Sequence, residues 1–359
     1  LLDAASVTIA GGTGTTDANT IYEDYLEAAT TNVVIEADNA ITASGTFGNS
    51  DVQMRSGLDL TIRTIGTSGT GIDLTGSTHG TALDFKTSGG GSVLMSTAAA
   101  SQAIKTSQVT VADGGNITLN SAGLLDITNT SLQTAGGAIS LTGAGTSLGD
   151  GVKISKGTVN AGTGALNITG SSTTGNYGVN IENATGASQL TGGAVSITGS
   201  TTGGAYGVRV DRSTITASNG LTLDSATGGS RMALQGATLT ASGGNMLIKS
   251  KGISNEGPDF FQSLLIEDVA GARSNIRNTG SGNITVDAEL TNHTNASLAG
   301  TPSALLVRNS DITTSAGTIS LTGKTGISGD VYGTSGVMLA SGATVTGAGN
   351  VSVTGTTGT

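Results

Sequence analysis

One short segment recurs through this chain at a nearly fixed period, and that recurrence limits the available folds more than any motif does. It reads small residue, x, apolar, x, apolar, polar. Its clearest copies are GNITLNS (115–121), GAISLTG (137–143), GALNITG (164–170), GAVSITG (193–199), GLTLDS (220–225), GNITVDA (282–288), GTISLTG (317–323) and GNVSVTG (349–355). Weaker copies are SVTIA (6–10), NVVIEA (32–37), DLTIRT (59–64), SVLMS (92–96) and NMLIKS (245–250). Their first apolar residues run from Val7, Val33 and Leu60 to Ile319 and Val351, 22 to 38 residues apart and about 29 on average. A hairpin repeats faster than this; one coil of a solenoid repeats at this rate.

Each period holds two further alternating segments. One is G-V-x-I: GVKI (151–154), GVNI (178–181), GVRV (207–210) and GVML (336–339), with SLLI (263–266) and ALLV (304–307) as relatives. The other is short and Thr-rich: TIT (214–216), TLT (238–240), DIT (311–313) and TVT (344–346). Three period-two strands per turn, each ended by Gly, Asn, Ser or Thr, describe a chain wound round a triangular core. Such strands pair in parallel with their equivalents one coil away, so inward residues such as Val152 and Ile154 stack on Val179 and Ile181. About thirteen coils at the usual strand spacing make a rod of roughly 60 Å.

Composition fits this reading and excludes others. Nine aromatics and 36% apolar residues in 359 would make a poor globular core, but they suffice for a column one side chain wide. The 59 Gly and 2 Pro stay below the share that marks disorder, and scarce Pro leaves almost every amide free to donate to a ladder. A net charge of -10 with no basic cluster argues against nucleic acid as a partner. No apolar run reaches membrane-span length, and LLDAASVTIA lacks the basic and apolar regions of a signal peptide. The missing initiator Met reads as a piece of a longer protein. The absence of Cys excludes disulfides and zinc-thiolate sites and suits a chain that crosses membranes unfolded.

The units TASNGLTLDSA (216–226), TASGGNMLIKS (240–250), TTSAGTISLTG (313–323) and TGAGNVSVTG (346–355) resemble the repeats of filamentous-haemagglutinin-type bacterial adhesins. The resemblance covers residues 30–359 and implies an all-β fold, a right-handed parallel β-helix of about 12–13 coils forming one continuous unit over 1–359. It further implies an extracellular, non-catalytic stalk carried out by an outer-membrane transporter, through two-partner secretion or as an autotransporter passenger. Its implied partners are a host-cell receptor, a glycan, or another bacterial surface or biofilm-matrix component. Two features depart from the family. Its Asn-Pro secretion-domain signatures are missing, since the prolines are Pro258 and Pro302 alone, and VSVTGTTGT does not resemble the last strand of an outer-membrane barrel. Neither end shows an obvious cap, so the chain reads as the middle of a stalk.

Catalytic patterns are weak, and nothing calls for a cofactor or metal. His79 and His293 sit in polar loops without a second ligand at metal spacing. GTSLG (145–149) matches G-x-S-x-G around Ser147 without a strand-to-helix elbow, and GGTGTTD (11–17) misses the calcium nonapeptide by one residue. A polysaccharide-degrading β-helix would carry converging carboxylates, yet the outward position of the G-V-x-I strand reads Lys153, Asn180, Arg209, Ala233. Asp224 and Glu36 read as isolated, solvated charges. An ice-binding solenoid would stack T-x-T strands, as Thr214/Thr216, Thr238/Thr240 and Thr344/Thr346 do in part; the pattern lapses at Asp311 and around Leu132.

Two irregular stretches carry the candidate partner-binding residues. The outward G-V-x-I column continues as Leu265, Leu306 and Met338, an apolar stripe that either binds a partner or lies beneath a cover. The insertion at 252–281 brings Phe260 and Phe261, placed to cover it or to extend it. The second stretch, 15–31, holds Tyr22, Glu23, Asp24 and Tyr25 at roughly helical spacing, a short helix or loop extruded from an early coil. It either engages a basic or glycan partner or shields one face. Tyr177 and Tyr206, 29 residues apart, are expected to stack as an aromatic ladder. The Asn-x-Ser/Thr triplets at Asn116, Asn167, Asn183, Asn283 and Asn350 are no more than chance allows.

Overall fold

The computed structural model describes residues 4–357 apart from 49–50, 77–82, 147–148, 174, 184–185, 203–204, 227–229, 254–261, 292–302 and 327–334. Thirty-three strands among the described residues join in one sheet, and every strand pairing in it is parallel. The chain is a parallel β-helix.

The register places the repeats as the period requires. On the first face Val33, Leu60, Val93, Ile117, Ile139, Leu166, Val195, Leu221, Met246, Ile284, Ile319 and Val351 follow one another as paired residues, a column twelve coils long. The second face carries the G-V-x-I strands and begins well before GVKI, with Ile41, Ile72, Ile104 and Leu125 leading to Val152. The third face runs from Val52 through Phe85, Leu132, Ile215 and Ile312 to Val345. Inward residues of all three faces form one continuous buried cluster. Within 252–281, the strands Gln262–Glu267 and Asn275–Asn278 take ordinary second- and third-face places.

Val7 corrects the reading that made it the first member of the first-face column: it pairs with Ile41 on the second face. Period-two alternation is the same on every face, so it cannot say which face a strand joins. The register also slips between Ala4 and Ser6.

The corners explain the glycines and the small polar residues. Where the third face turns into the first, successive coils approach so closely that a Cβ on Gly137 would lie 1.8 Å from the Gly115 carbonyl oxygen, and one on Gly164 would lie 2.1 Å from that of Gly137. After the second face the chain turns through one left-handed residue, Asn129, Lys156, Arg212 or Asn309 in different coils, with φ between 42° and 55°. A buried small residue follows. The Ser213 hydroxyl donates to the Asp211 carbonyl and accepts from the Ser188 amide, so these hydroxyls satisfy backbone groups that the turn takes out of the ladder.

A second side-chain ladder precedes the first face. Asn32 Oδ1 accepts from the Asp59 amide, Asp59 Oδ1 from Ser92, Asn116 Oδ1 from Ala138, Asn245 Oδ1 from Asn283, and Asn283 Oδ1 from Thr318. Two of the Asn-x-Thr triplets therefore have a structural use, since their side chains stitch one coil to the next.

The segment 15–31 corrects a further expectation. It contains the helix Glu23–Glu27, but the helix is not extruded from a coil. The strand Thr20–Tyr22 pairs outside Ala4–Ala10, and Leu26 is buried in the core cluster, so the segment folds back over the first coil. The segment covers this end of the described stack.

Gly164→Ala is expected to cost about 3 kcal/mol, because its Cβ meets backbone of Gly137 on the preceding coil that cannot move aside. Ile168→Ala, which leaves a cavity in the column, is expected to cost about 2–5 kcal/mol. Urea unfolding followed by circular dichroism measures both; a Gly164→Ala chain as stable as the parent would contradict the close-packed corner.

Candidate binding surfaces

The second face carries most of the paired charge. Its outward columns place Lys153 beside Glu182 at 3.2 Å, Arg209 beside Asp211 at 3.2 Å, and Arg308 in contact with Glu267. Asn180 donates through Nδ2 to both Asp150, at 3.0 Å, and Glu182, at 3.2 Å, and Gln235 links Arg209 to Glu267. The result is one polar network running along the rod. The parallel pairing that stacks apolar residues inside stacks these charges outside, about 4.8 Å apart. Glu36 belongs to the same pattern, which corrects its reading as an isolated charge: it pairs with Arg63, its register partner one coil on, at 2.5 Å. Aligning charged residues at the coil period would have found these pairs.

Tyr177 and Tyr206 stack as expected, with ring centroids 6.3 Å apart and an interplanar angle of 4°. Arg209 lies over the Tyr177 ring and Arg231 over the Tyr206 ring. With one another and two guanidinium groups against them, the rings serve the network more than they offer a flat platform to a ligand.

The apolar stripe is in register, Ala233 to Leu265 to Leu306 to Met338. Ala233 is fully buried, Leu265 is half-buried and Leu306 is 8% exposed, so most of the stripe is covered; Met338 reaches 36% exposure. Phe260 and Phe261, the expected cover or extension, lie outside the described residues, as do His79, His293 and Ser147.

The helix at 23–27 divides its candidate residues. Glu23 is 6% exposed and its carboxylate accepts from the amides of Gly12 and Gly48, so it ties two loops together. The Tyr22 ring packs close to Gly14. Asp24 faces solvent and Tyr25 is 63% exposed. Beside Tyr25 opens a cleft of about 650 Å³, walled by Ile21, Leu26, Val33 and Ile35 and rimmed by Asp17 and the Glu36–Arg63 pair. The sequence pointed to Tyr25 but not to the cleft, which needs the helix and the first-face strand brought together.

Two carboxylates resist burial. Asp84 sits opposite Asp51 in register, and although Lys86 pairs with Asp51 at 2.5 Å, Asp84 Oδ1 is buried without a hydrogen bond. Burial pushes the Asp84 carboxyl above its ordinary range, outweighing the Thr110 hydrogen bond and the Lys86 charge. Burial raises Asp150 likewise. At Asp311 the Arg273 guanidinium, followed by the Thr344 hydroxyl, holds the carboxyl below its ordinary range.

Among the described residues no group of three or more His, Cys, Asp or Glu is placed to hold a metal ion, and no helix is long and apolar enough to cross a membrane. Searches of protein-family models, curated proteins and solved structures returned no match to the chain.

The raised Asp84 carboxyl predicts a sign. The folded chain holds a proton that the unfolded chain releases, so this group costs stability as pH rises from its unfolded value of 3.8 through the raised one, and the cost persists at neutral pH. Asp84→Asn is expected to raise Tm at neutral pH and to change it less near about pH 4. Asp311→Asn should do the opposite, lowering Tm at neutral pH with an effect that fades as acid protonates the wild-type carboxyl. Thermal melts of both variants across pH check the pair of signs.

Proposed function

We propose that this chain is a segment of an extracellular bacterial adhesin, a rigid β-helical stalk that works by projecting and presenting surfaces rather than by catalysis. The observation that carries the reading is the continuous stack: twelve first-face residues stand in register from Val33 to Val351, and the ten from Leu60 to Ile319 lie in one buried core cluster, which makes a stiff rod from light, repetitive sequence. The outward charges support it. Glu36, Asp51, Glu182 and Glu267 are each taken up by a cation on a neighbouring coil, which is what a scaffold needs. The repeat resemblance supplies the attachment role, the partners named above and passage through an outer-membrane transporter; a chain without Cys suits that route.

A polysaccharide-cleaving reading has one observation in its favour, the Asn180 amide bridging Asp150 and Glu182 on the outward second face. Their surroundings differ, Asp150 being raised by burial while Glu182 pairs with Lys153. The two readings part in one experiment. Beads coated with the 359-residue chain are expected to retain bacterial or host cells or matrix material, and incubation with neutral and acidic glycans is expected to release no reducing or unsaturated ends. Cleavage abolished by Glu182→Gln would replace the adhesin reading with the enzymatic one, and uncoated-level retention of every cell and matrix type would remove it.

A further inference from the structure

In a solenoid each coil touches only the coils before and after it, so its coils can open one at a time. Gln102 departs from that pattern. It stands at the corner between the first and second faces, in the coil whose first-face strand is Val93–Ser96, and it is fully buried. Its side-chain oxygen accepts from the Ala98 and Ala99 amides of its own corner, both at 3.1 Å, and from the Thr64 hydroxyl one coil back, at 2.8 Å. Its side-chain nitrogen donates to the Ser68 carbonyl, also one coil back, at 2.6 Å, and to the Asp38 carbonyl two coils back, at 3.2 Å. Both N–H groups and the oxygen of the amide are thus in use, shut off from solvent.

Further along the same edge of the rod the corner is joined differently. Ser230 donates to the Thr201 carbonyl one coil back, and Ser250 to the Ser230 carbonyl, again one coil back, so these hydroxyls reach only a neighbour. Around Gln102 the backbone bonds run through the same coils as its side chain: the Asp38 carbonyl also accepts from the Gly66 amide at 2.9 Å, and the Ala103 amide donates to Thr70 at 3.1 Å. Opening any one of these corners leaves a buried amide or carbonyl without its partner. We propose that Gln102 is a clamp that couples three successive coils, so that the corners at 38, 64–68 and 98–102 open and close as one unit instead of coil by coil. A neutral side chain with two donors and one strong acceptor meets that need without burying a charge. In a rod under load the clamp marks a stretch that yields in a single step. The inference goes beyond the adhesin reading and holds whatever the rod presents.

The test is hydrogen exchange of the 359-residue chain in increasing urea, read by mass spectrometry in peptides covering Gly66 and in others covering Ala98 to Ala103. In the parent chain the two sets are expected to share one opening, with the same dependence on urea. Gln102→Ala should speed exchange in both sets by about tenfold or more, while peptides around Ile168, several coils away, exchange as in the parent. Thr64→Val keeps the shape of its side chain and removes a single donor to Gln102, so it carries the test even where Gln102→Ala fails to fold. It should speed exchange in the same two sets, by less. A side chain that merely fills its own corner would alter the Ala98 to Ala103 peptides alone. The proposal is overturned by different urea dependences of the two sets in the parent, by a Gln102→Ala effect that leaves Gly66 unchanged, or by a Thr64→Val effect that stops at Gly66.

Discussion

The whole molecule depends on one interaction, the parallel pairing of each strand with its equivalent one coil away. Within a coil the three strands share little more than corners, so almost all interior backbone hydrogen bonds run along the rod. That pairing sets the register, and the register sets everything else. Inward side chains must stack on chemically similar ones, and a column of Val, Ile and Leu replaces the interlocked core of a globular domain. Corners must allow coils to sit a strand spacing apart, which leaves no room for a Cβ between Gly115 and Gly137.

The same constraint governs the outside. Side chains at one outward position recur at strand spacing, where like charges repel and opposite charges attract. The chain meets this by pairing across coils, Glu36 with Arg63 and Glu267 with Arg308, and by filling much of the remaining surface with Thr, Ser and Asn. Asp51 and Asp84 break the rule, standing in register with one lysine between them. Burial, with the Asp51 charge adding to it, drives the Asp84 carboxyl toward its neutral form. Side-chain ladders follow the same logic: where Asn116 precedes the first face its oxygen reaches the amide of Ala138, doing for the corner what a carbonyl does within a strand.

This dependence explains what could be read from the sequence and what could not. The columns were legible because period-two alternation within a strand and a coil-length period between strands are both local counts, and Val152 over Val179 or Tyr177 over Tyr206 follow from counting alone. The face to which a strand belongs is not a local property. Val7 alternates like a first-face residue and yet pairs with Ile41 on the second face, because alternation alone is the same on every face. Coil-to-coil ion pairs were missed for a related reason: Glu36 looks isolated within its own segment, and its partner is 27 residues away. Glu23 reads from the sequence as a candidate partner-binding residue on a helical stretch; only the fold brings the amides of Gly12 and Gly48 to its carboxylate.

A stack satisfied along its own axis has distinct places at which to meet another molecule. Side columns are saturated wherever hydrogen bonds and charges are exchanged between coils, so recognition there must use side chains the stack does not need. A strand edge differs, because the groups that face along the rod are the ones each interior coil uses to hold its neighbour. At the described start of the stack the helix at 23–27 takes part in closing the coils: Leu26 enters the core cluster and the Glu23 carboxylate holds the amides of Gly12 and Gly48.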